Sequence, residues 1–417
     1  MENISAEKPS REELETALQK AGFKYVITDD SVTITGLNVQ PETLEIPYGV
    51  TSIGDCAFCG CKSLTSITIP NSVRSIGVDA FCCCSLTSLT LPDGLTHIGN
   101  TAFSGCCALR SITIPQSVHD IGADVFDWCW DVTIFGLEGS YIHLYAEANR
   151  LKFQAISQNG PNRTSPRTFR PGTIAGEQLM RSVDGVTYLF RWCPSGTFRM
   201  GAPKEESSAP WRWQRSSFEY DEHVHDVTLT SGFWMLETPV TQEMWESLMH
   251  SNPCYFKDPD CPVDKVSWFE CKLFCRKLAD MLNMNVSLPT EAQWEYACRA
   301  GTTGPYAVDQ NEIESYLKSK TLISTHRVRY MSPNAWGLSD MHGNVWEWCL
   351  DVYEPHYYLH SPICDPKGPE GEHSSARVCR GCWEYNYGDC RSAFRSSNSP
   401  NTQGNRLGFR VVLNDIE

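Results

Sequence analysis

Twenty cysteines are spread through 417 residues; two groups of them have spacings that chemistry could use, and one further cysteine stands in a distinctive setting. Cys379 and Cys382 form a C-x-x-C, which supports dithiol redox chemistry where the surroundings stabilise one thiolate. The strand-to-helix context that activates such pairs is missing around "VCRGCW". Cys390 stands alone in a run of Tyr, Asn, Ser, Asp and Gly, framed by Arg-Gly-Cys-Trp and Leu-Gly-Phe-Arg. That run is either a reactive site built around Cys390 or a displayed binding surface. Cys56, Cys59 and Cys61 have the spacing of a soft-metal or iron–sulfur site. Carboxylates offer a further possibility in "DMHGNVWEW", because a hard cation such as calcium needs six or more oxygens. Asp340 and Glu347 supply carboxylates there, and the turn from Gly343 to Val345 supplies carbonyls. His223 and His225 alternate on a predicted strand and could point two imidazoles to one side.

The whole chain limits what these groups could serve. Its length predicts two or three domains. With 41% hydrophobic and 20% charged residues, the composition is that of a folded protein rather than a disordered one. A net charge of -15 with no basic cluster argues against nucleic acid and anionic membrane as partners. No apolar run approaches the roughly 18 residues of a membrane span. The opening "MENISAEKPSREELETALQK" lacks the apolar core of a signal peptide, which predicts a cytoplasmic protein.

Most of the cysteine excess belongs to a repeat. Pro47, Pro70, Pro92 and Pro115 recur at intervals of 23, 22 and 23 residues, and Phe58, Phe81, Phe103 and Phe126 recur with them. A fixed period in this range predicts a solenoid whose coils bury apolar residues only against their neighbours. The "LTSITI" pieces alternate apolar and polar residues and predict one short strand per coil. Cys61, Cys84, Cys106 and Cys129 each lie three residues after a repeat phenylalanine. In phase with the core, they read more simply as a ladder of small buried hydrophobes than as metal ligands. The block resembles BspA-type leucine-rich repeats, which implies a recognition surface. Ahead of it, Ser10 and Glu13 predict a capping box, and "YVITDDSVTI" a hairpin. The predicted divisions are a cap at 1–39, repeats with a closing cap at 40–156, and a linker at 157–184. The last domain is placed at 185–414.

That last domain carries an ordered series of signatures. They are "SGTFRMGAP", "HVHDVTLTSGFWMLETPVTQEMW", "PVDKVSWFECKLFCRKLA", "VSLPTEAQWEYACRAGT" and "PNAWGLSDMHGNVWEWCLDVY", closed by the Cys390 segment. Together they resemble the formylglycine-generating enzyme (sulfatase-modifying factor) family. The resemblance implies a multidomain protein: a leucine-rich-repeat solenoid followed by an irregular α+β domain related to C-type lectins. It also implies a structural calcium on Asp340, Gly343, Val345 and Glu347, where family members often have Asn at the first position. The family's oxidase activity is implied to need two cysteines, five residues apart, that bind copper(I). Aligned from Trp383, Cys390 matches the second, but Tyr385 stands at the first; aligned from the Leu-Gly-Phe-Arg end, the segment is about three residues short and Cys390 matches neither. One thiolate cannot complete a linear two-coordinate copper site, so family-type oxidation of a substrate cysteine is the weaker expectation.

The residues support this domain independently. In "WFECKLFCRKLADML", Phe269, Leu273, Leu278 and Leu282 lie along one helical face, and Cys271 and Cys275 are expected to pack one turn apart. Thr290 is a predicted N-cap, with Gly301 just past that helix's end. Trp294, Trp346 and Trp348 are expected in the core. In the closing segment, Arg391, Arg395, Phe409 and Arg410 are expected to pin the loop. Glu384, Tyr385, Asn386, Tyr387, Asp389, Phe394, Ser396, Ser397, Ser399, Asn401, Gln403 and Asn405 are the predicted ligand-binding residues. Tyr, Asn and Ser are what adaptable binding surfaces use. The segment resembles the variable region of retroelement-diversified proteins of lectin fold, which implies a protein or other macromolecular ligand.

Overall fold

The computed structural model describes residues 9–156, 170–203, 206, 221–318, 325–369, 377–381 and 387–414. It divides into two compact units, 1–161 and 162–417.

The first unit opens with the helix Arg11–Lys20, whose Ser10 and Glu13 form the expected capping box. The hairpin Phe23–Ile27 with Val32–Leu37 follows. Behind it the coils stack as parallel ladders: Val32–Leu37, Ser52–Ile53, Ser75–Ile76, His97–Ile98 and Asp120–Ile121 on one side. On another lie Ser88–Thr90, Ser111–Thr113, Thr133–Gly136 and Lys152–Ala155. Strands this short hold because each coil lends its apolar side to the next. Phe58, Phe81, Phe103 and Phe126 form one column with centroid spacings of 5.1, 5.4 and 5.8 Å. Phe23 and Tyr145 close it edge-on at the two ends. The glycine after each repeat isoleucine is required by this stacking: a Cβ on Gly99 would fall 2.6 Å from the backbone of Gly77.

The cysteine ladder is real, with one correction. The thiols of Cys84, Cys106 and Cys129 donate to the carbonyls of Phe58, Phe81 and Phe103, each at 3.1 Å. Burial raises the Cys84 thiol to about 12 and Cys129 to about 11, which keeps both protonated and inert. Cys61, in the first coil, is only half-buried, and Cys56 and Cys59 are exposed. No described group of three or more His, Cys, Asp or Glu is placed to hold a metal ion.

The second unit is built on an antiparallel five-stranded sheet. Its order is Gln178–Val183, Val186–Cys193, Phe233–Leu236, Val412–Asn414 and Asn285–Ser287. The first strand lies in the stretch expected to be linker. It is recruited by full pairing with its neighbour, from Gln178 opposite Arg191 to Val183 opposite Val186. A smaller sheet runs Ser396–Asn398, Arg377–Gly381, Trp346–Val352 and Leu407–Gly408. Helix Trp268–Leu282 buries Trp268, Phe269, Cys271, Phe274, Cys275 and Leu278, so the two cysteines pack as expected. Leu273 and Leu282 are only half-buried, since the buried stripe runs through Phe274 instead. Helix Glu291–Arg299 starts at a Thr290–Gln293 capping box and ends at left-handed Ala300, one residue before Gly301. Trp294 and Trp348 are fully buried. Trp346 is half-buried at the start of its strand, packed against the cluster of Tyr306, Ile313, Met331 and Cys390.

Candidate functional site

The closing segment is held by buried arginines, and each is explained by the carboxylate it meets. Arg380 lies on the strand paired with Trp346–Val352 and reaches Glu295 at 2.5 Å and Glu291 at 3.4 Å. Arg395 donates to both oxygens of Glu291 at 2.8 and 2.9 Å and to Asp221 at 2.9 Å. Its guanidinium also lies over Tyr358, 4.1 Å from the ring centre. Arg391 grips Glu222 with two bonds of 2.8 and 2.9 Å, and meets Glu206 at 2.9 Å. Arg410 grips Glu347 in the same two-bonded way. Planar guanidinium–carboxylate pairs fix orientation as well as charge. Burial alone would raise Glu295; Arg299 and Arg380 outweigh it and hold that carboxyl below the usual range.

The geometry divides the predicted binding residues. From Cys390 to Arg395 every residue is buried. Phe394, expected on the binding face, is 4% exposed and packs against Trp346, because the arginines on either side draw the chain inward. Ser396 and Ser397 lie on the edge strand, opposite Cys379 and Val378, and are half-buried. Asn401 is half-buried, while Ser399, Gln403 and Asn405 are exposed. Asp389 is half-buried at the end of the single turn Tyr387–Cys390. Glu384, Tyr385, Asn386 and Cys382 fall outside the described residues, as do the side chains of Tyr387 and Cys379.

Cys390 is 1% exposed and packs in an apolar cluster with Tyr306, Ile313 and Met331. Its carbonyl accepts from Nδ1 of His342 at 2.8 Å, while Nε2 of that ring accepts from the amide of Ala307 at 3.0 Å. Burial lowers His342 to about 4, so the ring is neutral with its proton on Nδ1. This histidine positions the loop backbone rather than taking part in proton transfer at an open site.

The residues matched to calcium do not fit the ion. Glu347 is fully buried, with one oxygen taken by Arg410 and the other by Arg410 and the indole N–H of Trp294. A divalent cation there would stand against a guanidinium. The Asp340 carboxylate already accepts from the amides of Arg329 and Met331, and the Gly343 carbonyl from the amide of Val345. Val345 contributes a buried side chain to the same turn. His223 is exposed, and His225 packs tilted against Tyr358 with its Nδ1 against the His223 carbonyl, so the two rings do not converge.

Sequence reasoning missed the acidic half of this framework: Glu206, Asp221, Glu222, Glu291 and Glu295. One signal was available, since Glu291 and Glu295 lie a helical turn apart among residues that must be buried.

A model of the sulfatase-modifying factor enzyme 1-like domain matches residues 189–415. A model of the BspA type leucine rich repeat region matches 38–150 in six copies. The formylglycine-generating enzyme of Streptomyces coelicolor is 36% identical over 179 residues, covering 38% of this chain and 54% of that protein. The Mus musculus formylglycine-generating enzyme is 27% identical over 215 residues, covering 46% and 54%. Among solved structures, Treponema denticola variable protein 1 aligns at 25% identity and a TM-score of 0.48, over 57% of this chain and 98% of that one. The chain spans about half the length of the curated relatives it matches. More than half of its own length fits a single family model, and the chain therefore belongs to the sulfatase-modifying factor enzyme 1-like domain family, with BspA-type leucine-rich repeats ahead of that domain.

Proposed function

We propose that this protein is a non-catalytic recognition protein whose binding face is the segment 384–405, diversified in sequence on a fixed frame. The observation that carries this reading is the burial split within the segment. Cys390 to Arg395 are locked inside by ion pairs, while Ser399, Gln403 and Asn405 reach the surface. A frame of this kind lets exposed positions change without disturbing the fold, because surface substitutions away from special features rarely shift stability by more than about 0.5 kcal/mol. The burial of Cys390 also speaks against copper chemistry at that sulfur, and its sequence neighbourhood, aligned from Trp383, holds Tyr385 where the family's first thiolate is implied.

Sequencing the 3′ end of the gene across sibling isolates tests the reading. Differences are expected at 384–386 and 396–405, with Cys390, Arg391, Phe394 and Arg395 constant. An unvarying segment, or changes concentrated at the buried arginines, would overturn it. The relatives named as formylglycine-generating enzymes favour the rival oxidase. Stoichiometric copper(I) binding to the native chain, lost in Cys390→Ser, would establish that rival instead.

A further inference from the structure

The fourth coil of the repeat array differs from the other three at one edge. Positions 60, 83, 105 and 128 each lie two residues after a column phenylalanine and are linked from coil to coil through their turns. All four are left-handed, with φ of 73°, 58°, 71° and 63°. Two are glycine, which this conformation suits, and one is Cys83. The fourth is Trp128. A bulky side chain there is strained, and such strain clusters where a residue is displayed for a ligand. Packing within the array gives no reason for it. Trp128 is 63% exposed and Trp130 is 74% exposed. The two rings stand at 83° with centroids 5.3 Å apart, forming two walls of an open aromatic corner.

The surrounding charge is acidic. Asp124 and Asp127 lie on the same turn, and neither forms an ion pair among the described residues; Asp124 is close enough to add to the burial that raises Asp127. Asp131, by contrast, is already engaged by Lys152 and Arg110. Indole faces attract cations through the ring quadrupole, and nearby carboxylates add to that attraction. We propose that Trp128 and Trp130, with Asp124 and Asp127, form a recognition corner for the ammonium or guanidinium end of a Lys or Arg side chain in a basic polypeptide segment. The chain's net charge of -15 draws such a partner in. A polypeptide is favoured over a free small cation because two walls enclose little, so flanking contacts must supply the rest.

The test uses the full chain and a fluorescent lysine-rich peptide, read by anisotropy, beside a glutamine-substituted control. The lysine peptide is expected to bind, more weakly as salt rises, and the control not to bind. Trp128→Gly installs the residue of the equivalent positions Gly60 and Gly105, so its melting temperature should hold or rise. Peptide affinity should nonetheless fall about two- to fivefold, the size of one lost cation–π contact at an exposed site. Asp127→Asn should weaken binding and flatten its salt dependence. Unchanged affinity in Trp128→Gly, or no binding by the native chain, would overturn the proposal. Displacement of the peptide by millimolar choline would reassign the corner to small quaternary ammonium ions and overturn the polypeptide assignment.

Discussion

At the scale of single residues, the second unit depends on charges that are buried but matched. Arg395 is the clearest case, since it is fully buried and satisfies Glu291 and Asp221 at once. Arg395→Ala removes the two-bonded partner of Glu291, leaving it the longer Arg380 contact, and takes from Asp221 its guanidinium while the Tyr353 hydroxyl remains; urea unfolding should show a loss of about 3–5 kcal/mol. Asp351 behaves differently. It is buried beside Glu291, and burial, reinforced by that neighbour, raises its carboxyl to about 7 from 3.8. Between those values the folded chain binds the extra proton, so stability falls as pH rises, on the order of 1 kcal/mol per pH unit. The contribution is complete below about pH 4 and lost through pH 7. Asp351→Asn keeps an acceptor for the Glu291 amide. It should flatten this dependence in unfolding curves taken from pH 4 to 8; an unaltered slope would show that Asp351 is not its source.

Whole elements carry a different lesson, because one continuous segment contains both core and surface. Phe394→Ala should cost about 3–5 kcal/mol, as for other buried aromatics. Cys390→Ser, placing a hydroxyl among Tyr306, Ile313 and Met331, should cost about 1–3 kcal/mol. Alanine at Ser399, Gln403 or Asn405 should stay within about 0.5 kcal/mol. Chemical denaturation of these variants side by side would locate the boundary between frame and face. Equal sensitivity on both sides of Arg395 would remove the distinction. In the repeat array the corresponding element is the phenylalanine column, where each ring is packed by the coils above and below.

For the whole molecule, the two compact units have stabilities of different origin. The array rests on neighbour-to-neighbour burial and the other unit on apolar clusters tied together by buried ion pairs. Phe81→Ala, about 3–5 kcal/mol on the buried-aromatic scale, should therefore lower one calorimetric transition. Arg395→Ala should lower another. A single transition moved by both changes would contradict independent stability. Among the described residues no helix is long and apolar enough to cross a membrane.

Periodic features are legible in the sequence alone. The solenoid followed from the 22- and 23-residue spacing, because stacked identical coils force their core residues into register. The family followed from motifs that survive in fixed order, and the caps at Ser10 and Thr290 from local hydrogen bonding that needs no distant partner. What the chain alone could not reveal depends on contacts far apart in sequence. Arg391 meets Glu222 across 169 positions, and Arg395 meets Glu291 across 104. Those pairings turn a polar, aperiodic stretch inward at Cys390 to Arg395 and leave Ser399, Gln403 and Asn405 outside. They also give Arg410 the Glu347 carboxylate that was expected for calcium. Burial of a charged residue is decided by the partner that neutralises it, and only the tertiary fold says which partner that is.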